Sequence, residues 1–235
     1  MKVINDLYDY EHYKIAQDSD VFKFSLDSIL LAEFVSTLKP TDKVLDLCTG
    51  NAVVPLILSY YFPNEIIGFE IQKNIAELAK ESILLNNKEN QIKVITDDVG
   101  VINNYFPGNN FNVVVANPPY FKYKESSLIN ENQSKAIARH ELSLTLEDLF
   151  RITKYSLKDN GIFYLVHLPE RLEEILYCCE KYQIIAKEIQ IVYTKDDNHA
   201  SIVLLKCIKN ANNALKVNKP LHIGDYKSYK NIFRG

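Results

Sequence analysis

The residues Asn117-Pro118-Pro119-Tyr120 follow directly on the apolar run Phe111–Ala116. Their types suit one kind of chemistry. An exocyclic amine on an adenine is planar and poorly nucleophilic, because its lone pair is delocalised into the ring. If Asn117 Oδ1 and the Pro118 carbonyl each accept one of its N–H bonds, the nitrogen is drawn toward a tetrahedral shape. Its lone pair then faces an incoming methyl donor. The prolines hold the backbone so that this carbonyl points inward. Tyr120 can stack on a flipped base, a contact worth roughly 1–3 kcal/mol. A sulfonium donor supplies the driving force, so no strong general base is needed, and positioning and electrostatics carry the catalysis. A plain Pro-Pro stop after a buried strand leaves the amide and the aromatic ring unexplained.

Three other short runs end in residues suited to a ligand. Val44-Leu45-Asp46-Leu47-Cys48 leads into Thr49-Gly50-Asn51-Ala52, a small-residue turn that lets backbone amides approach a ligand and aims a helix N-terminus at it. About twenty residues on, Gly68-Phe69-Glu70-Ile71 places an acid where it can accept hydrogen bonds from both hydroxyls of a ribose. Alternatively, Glu70 is a helix-start charge favourable to the dipole. Turn and acid together indicate an adenosine-containing cofactor, without separating a nicotinamide from S-adenosylmethionine. Asp97-Asp98 lies where an acid can accept from an adenine amino group. Asp98 is the better candidate because Val99 behind it faces the core, and a helix cap is the competing reading.

These runs need a scaffold that brings their ends to one side. Leu26, Ile29, Leu30, Phe34 and Leu38 share one face of a helix over Ser25–Leu38. Short apolar runs then alternate with helical stretches. The strands are Lys43–Cys48, Glu65–Phe69, Ile92–Thr96, Phe111–Ala116 and Ile162–His167, and the helices run over Ala52–Phe62, Lys73–Asn87, Thr145–Leu157 and Glu170–Tyr182. The last two strands, Ile184–Tyr193 and Ser201–Ile208, have no helix between them and form an antiparallel hairpin. The expected fold is α/β, a doubly wound, mostly parallel, seven-stranded Rossmann-like sheet with ligands at the C-terminal strand ends. The expected organisation is an N-terminal extension and helix over 1–40, a cofactor-binding domain over 41–209 and a basic tail over 210–235.

The segment at Asn117–Tyr120 resembles the Asn-Pro-Pro-Tyr amino-methyltransferases, which use S-adenosylmethionine on planar nitrogens. A closer resemblance is to the bacterial tRNA adenine-N6-methyltransferases acting on position 37 of a valine tRNA. It is carried by Phe22–Ala32, Phe69-Glu70-Ile71-Gln72, Asn117–Phe121, Ala138-Arg139-His140-Glu141, Leu146-Glu147-Asp148-Leu149 and Val166–Leu172, and runs from about Ala16 to Ile208. The resemblance implies a cofactor over Asp46, Thr49, Gly50 and Asn51, with Glu70 at its ribose, Asp98 near its adenine and Ile71 as a further contact. It also brings Phe24, Ser25 and Asp27 to the cofactor, with Asn117 reaching both cofactor and substrate. The sequence departs from the family at Ala52 and Cys48, where glycine is usual, and the added side chains would crowd the methionine end.

The substrate side is expected to be cationic and aromatic. Phe121, Lys122, Arg139 and His140 follow the motif, a combination suited to phosphates and unstacked bases but also to a solvated loop. His167 ends a strand on the ligand side, as either a substrate contact or a structural histidine. Arg171, Lys195 and His199 are weaker candidates. The net charge of −3 conceals an asymmetry, since Lys206–Gly235 holds seven basic residues against Asp225 alone and the preceding 205 residues sum to −9. The tail is expected to grip an RNA backbone with modest, salt-sensitive strength, or else to be solubilising charge.

With four cysteines at no paired spacing and an N-terminus lacking an apolar core, the protein is expected to be cytoplasmic, with reduced thiols and no metal. It is expected to act as a monomer, without a membrane. A protein-glutamine or DNA-adenine substrate would call for a substrate-reading region of its own, and none is evident. Another small RNA as substrate, and an inactive RNA-binding module, are the remaining alternatives.

Overall fold

A computed structural model describes residues 2–18, 26–120, 144–194, 198–212, 214–225 and 227–234. The first two strands, β1 (Lys2–Asp6) and β2 (Lys14–Asp18), pair antiparallel as a separate two-stranded sheet. This hairpin was not expected, because β1 is almost wholly exposed and β2 buries only Ile15, Ala16 and Gln17, so neither has the apolar run that marks the others. The described part of the expected first helix is α1 (Leu26–Phe34). The repeating unit then begins: β3 (Val44–Asp46), α2 (Val53–Tyr61), β4 (Ile66–Phe69), α3 (Lys73–Leu85) and β5 (Ile92–Ile95). After a 3-10 turn over Val99–Asn104 come β6 (Phe111–Ala116), α4 (Leu146–Ser156), β7 (Leu157–His167) and α5 (Leu172–Lys181). The long strands β8 (Ile184–Tyr193) and β9 (Ile202–Lys209) and the two-residue strands β10 (Lys216–Val217) and β11 (Leu221–His222) complete the chain.

The main sheet runs β10-β8-β9-β7-β6-β3-β4-β5, with β11 also on β8. Among the described strands of this sheet, only β9 is antiparallel to its neighbours, β7 and β8. The core is therefore the expected seven strands, and the tail adds two short parallel pairings on β8, from Lys216 opposite Glu188 to His222 opposite Tyr193. The expected separate tail is thus partly sheet.

The period of two divides the core between the faces. Val44, Val113 and Val115 pack with α1, α2 and α3, whereas Leu45, Val114 and Ala116 pack with α4 and α5. Thr145 starts α4 by accepting a hydrogen bond from Asp148 N at 3.1 Å, with Glu147 and Asp148 in the first turn. Strand register aligns the ligand end: Asp46 lies opposite Val115 of β6 and Gly68 of β4. Asn117 and Glu70 each stand two residues beyond those partners, flanking the β3 turn.

Candidate active site

The turn after β3 is strapped between its neighbours. Leu47 N donates to Val115 O at 3.1 Å, Thr49 N to Phe69 O at 2.9 Å and Gly50 N to Glu70 Oε2 at 3.0 Å. Gly50 and Ala52 both have left-handed backbones, at φ 55° and 71°. Glycine adopts that conformation without penalty, and a side chain resists it by roughly 1–2 kcal/mol. Ala52 is fully buried in the core, so its methyl contact offsets part of that strain. A methyl on Gly68 would lie 2.6 Å from Thr49 Oγ1. The bare glycine is what lets the Thr49 side chain lie against β4.

The electrostatics of this end indicate its ligand. Among the described residues, both Asp46 carboxylate oxygens and Thr49 Oγ1 are buried without a well-formed hydrogen bond, and burial, opposed only in part by Thr49 and the Cys48 amide, lifts the Asp46 carboxyl from 3.8 to about 7. Such groups are costly to leave unmatched, and a cationic ligand rich in N–H donors would match them. Glu70, next in the row, is buried, and its two oxygens accept from Gly50 N and Gln72 N, the latter at 2.8 Å. Burial raises its carboxyl too. A carboxylate has about four acceptor positions, which leaves capacity for ribose hydroxyls. Ile71, 44% exposed, offers an apolar surface beside it. Asp46, Thr49, Glu70 and Ile71 thus fit S-adenosylmethionine, with its ammonium, sulfonium, ribose and adenine. Burial and the neighbouring Asp46 push the Cys48 thiol well up, so it stays protonated and uncharged.

Two expected cofactor residues also make bonds within the fold. Asn51 Nδ2 donates to Ala16 O at 3.2 Å and ties the turn to β2. Asp98 Oδ1 accepts from Gly100 N at 2.7 Å and caps the 3-10 turn, while Asp97 receives the Tyr105 hydroxyl.

Beyond β6, Pro118 is buried while Asn117 and Tyr120 are half-buried. The Tyr120 hydroxyl reaches Asn117 Oδ1 at 2.6 Å and Asp27 Oδ2 at 3.0 Å, and Asn117 Nδ2 donates to Ser28 Oγ at 2.9 Å. Burial and then Asp27 push the Tyr120 phenol up, so it remains a donor. Its ring lies 5.1 Å from that of His167 at 53°. His167 Nδ1 accepts from Leu168 N at 2.8 Å, and burial followed by Arg171 lowers the imidazole to about 4. A neutral histidine that is 1% exposed backs Tyr120 and does not face solvent. Asp27, expected at the cofactor, contacts the motif in the structure. Ser28 was missed; it lies 89 residues from Asn117, and only its neighbour Asp27 hinted at it.

The RNA-facing expectations divide. Phe24, Ser25, Phe121, Lys122, Arg139, His140 and Lys195 lie outside the described residues. His199 is exposed before β9. Arg171 is clamped by Glu174 through two 2.8 Å bonds. Much of the tail's charge is turned inward. Arg234 bonds to buried Glu33 and to the carbonyls of Ala32, Val35 and Ser36. Lys209 donates to Lys154 O and Leu157 O, Lys230 to the Tyr60 hydroxyl and Lys206 to Glu188.

A family model described as the methyltransferase small domain matches residues 13–176. The chain belongs to that family. This methyltransferase small domain protein is 27% identical to the tRNA1(Val) (adenine(37)-N6)-methyltransferase of Bacteroides thetaiotaomicron, over 90% of this chain and 87% of that one. It is 25% identical to the protein of the same name from Photobacterium profundum, over 89% and 87% of the two chains. Among solved structures, a predicted O-methyltransferase from Agrobacterium tumefaciens superposes with a TM-score of 0.69 at 21% identity, covering 89% of this chain and 97% of that one. The geranyl diphosphate C-methyltransferase of Streptomyces coelicolor, solved with S-adenosyl-L-homocysteine, gives 0.57 at 10% identity, covering 77% and 76%. These structural likenesses show the shared methyltransferase fold. Among the described residues no group of ligands could hold a metal ion, and no helix is long and apolar enough to cross a membrane.

Proposed function

We propose that the protein transfers a methyl group from S-adenosylmethionine to the exocyclic N6 of adenine 37 in a valine tRNA, acting as a monomer in the cytoplasm. The observation that carries this reading is the placement of Asn117-Pro118-Pro119-Tyr120 at the end of β6, one strand from the unmatched Asp46 carboxylate. The names of the curated relatives support the choice of tRNA and of position.

When bound, S-adenosylmethionine supplies an electrophilic methyl on a sulfonium. Asp46 and Thr49 would hold its cationic end and Glu70 its ribose. Asn117 Oδ1 and the Pro118 carbonyl accept the two N–H bonds of the adenine amine, which turns its lone pair toward the methyl. Tyr120 leaves Asn117 and stacks on the base, backed by neutral His167. As the C–N bond forms, the methyl's bond to sulfur breaks and its electron pair neutralises the sulfonium; one N–H proton then passes to water, so charge balances without a strong base at the site.

Incubation with methyl-labelled cofactor and bulk unmodified tRNA, followed by nucleoside analysis and mapping, tests the reading. The expected product is N6-methyladenosine at position 37 of a valine tRNA. Label confined to protein or DNA would overturn it.

A further inference from the structure

Asn117 Oδ1 is the acceptor that methyl transfer needs, yet the Tyr120 hydroxyl already occupies it at 2.6 Å. That hydroxyl has one proton and a second acceptor, Asp27 Oδ2, at 3.0 Å. A primary amide also has two unlike ends, and a half-turn about its last torsion exchanges acceptor for donor. With the amide reversed, Asn117 would present N–H to an amine that itself brings N–H, and no bond would form. The reaction therefore requires something to hold the amide by its NH2 end and something to receive the displaced phenol.

We propose that Ser28 and Asp27, in the first turn of α1, are positioning residues for the Asn-Pro-Pro-Tyr motif. Ser28 Oγ, 2.9 Å from Asn117 Nδ2, holds the amide so that Oδ1 faces the reacting nitrogen. Asp27 takes the Tyr120 hydroxyl when that nitrogen arrives. A hydrogen bond to a carboxylate is stronger than one to an amide oxygen, so the phenol exchanges partners without leaving a polar group unpaired. The helix that carries both residues is firmly fixed. Ile29 to Phe34 of α1 are buried, and its far end is clasped by Arg234, which donates to the carbonyls of Ala32 and Val35. The inference rests on the amino-methyl-transfer reading, and it assigns neither residue a contact with the reacting atoms.

The test compares Ser28→Ala, Ser28→Thr and Asp27→Asn in the full chain. The readouts are kcat and KM with tRNA, cofactor Kd by calorimetry and the side-chain amide NMR signal of Asn117 without ligand. Ser28→Ala should lower kcat about 10–100-fold, the scale of a misplaced reacting group, with KM and cofactor Kd within about twofold. Ser28→Thr, which keeps the hydroxyl, should restore most of the rate. The Asn117 amide signal should shift in Ser28→Ala and return in Ser28→Thr. Asp27→Asn should lower kcat in the natural protein and add little further loss when Tyr120→Phe has removed the phenol. Natural kcat in Ser28→Ala, cofactor affinity falling in step with kcat, or an unmoved Asn117 signal would each overturn the proposal. A natural protein that fails to methylate tRNA would refute the functional reading alone, because the NMR comparison still tests the Ser28–Asn117 bond.

Discussion

Replacing Asp46 by Asn isolates the electrostatics of the cofactor end. The carboxyl is buried, its oxygens meet no well-formed hydrogen bond among the described residues, and burial lifts it from 3.8 to about 7. At 1.36 kcal/mol per pH unit, holding the charged form in the unliganded fold costs about 4 kcal/mol. The folded pKa lies above the unfolded one, so the folded state binds the extra proton between those values. Stability from this group is fully present below about pH 4 and is lost as pH rises through about 7. Between about pH 5 and pH 8 the natural protein should lose about 3 kcal/mol relative to Asp46→Asn. The Asn amide has its own desolvation cost, of order 1–3 kcal/mol. That cost does not depend on pH, so the difference in slope belongs to the carboxylate. Urea unfolding of both proteins across this range, without cofactor, measures it. Parallel pH dependences would refute the assignment of Asp46 as an unmatched buried acid. Cofactor affinity of the natural protein should also fall on acidification below about pH 7, as the carboxylate that meets the cation is protonated, and calorimetry should find that dependence absent in Asp46→Asn.

His167 should act with the opposite sign. Its folded pKa of about 4 lies below the ordinary 6.5, so its contribution is present above 6.5 and lost as pH falls toward 4. The total is about 3 kcal/mol, and it should be missing from the acid unfolding curve of His167→Gln. Gly68→Ala drives a methyl into Thr49 and should cost about 1–3 kcal/mol while weakening cofactor binding, both readable by calorimetry. Arg234→Ala removes the partner of a fully buried Glu33. With Tyr10, Tyr61 and Asn231 N still bonded to that carboxylate, the expected loss is about 3 kcal/mol, measured by thermal or urea unfolding. The slope of log tRNA affinity against log salt should stay unchanged in Arg234→Ala, because this cation is spent inside the fold; a flattened slope would return Arg234 to the RNA surface.

What could be read directly was contiguous. The run Phe111–Ala116 followed by Asn117–Tyr120, and the turn from Asp46 to Ala52 with Glu70 twenty residues on, have strand, turn and reactive residues side by side in the chain. A strand buried on both faces displays its nature as an unbroken apolar run, and the residue after it must lie at the ligand edge. The β1–β2 hairpin carries no such run: β1 is almost wholly exposed, and the three buried residues of β2, Ile15, Ala16 and Gln17, are too few and too mixed to mark a strand. Asp98 was even between two roles because a strand-end acid suits a ligand and a cap equally, and the cap bond to Gly100 is visible only in three dimensions.

The sequence by itself determined the order of the seven core strands and the helices between them, the motif that could activate an amine, and the acid row beside it, since each depends on short-range pattern. Tertiary structure decided everything that joins distant segments. It set Ser28 against Asn117, brought Cys179 Sγ within 3.8 Å of Cys207 Sγ though their spacing suggested no pair, and carried Arg234 back to α1. It also decided which charges count. Summing the tail treats Lys206, Lys209, Lys230 and Arg234 as equally available, whereas the fold places each against an acid, a carbonyl or a phenol. Net charge is a property of composition, but a phosphate meets only the cations that the fold leaves in solvent.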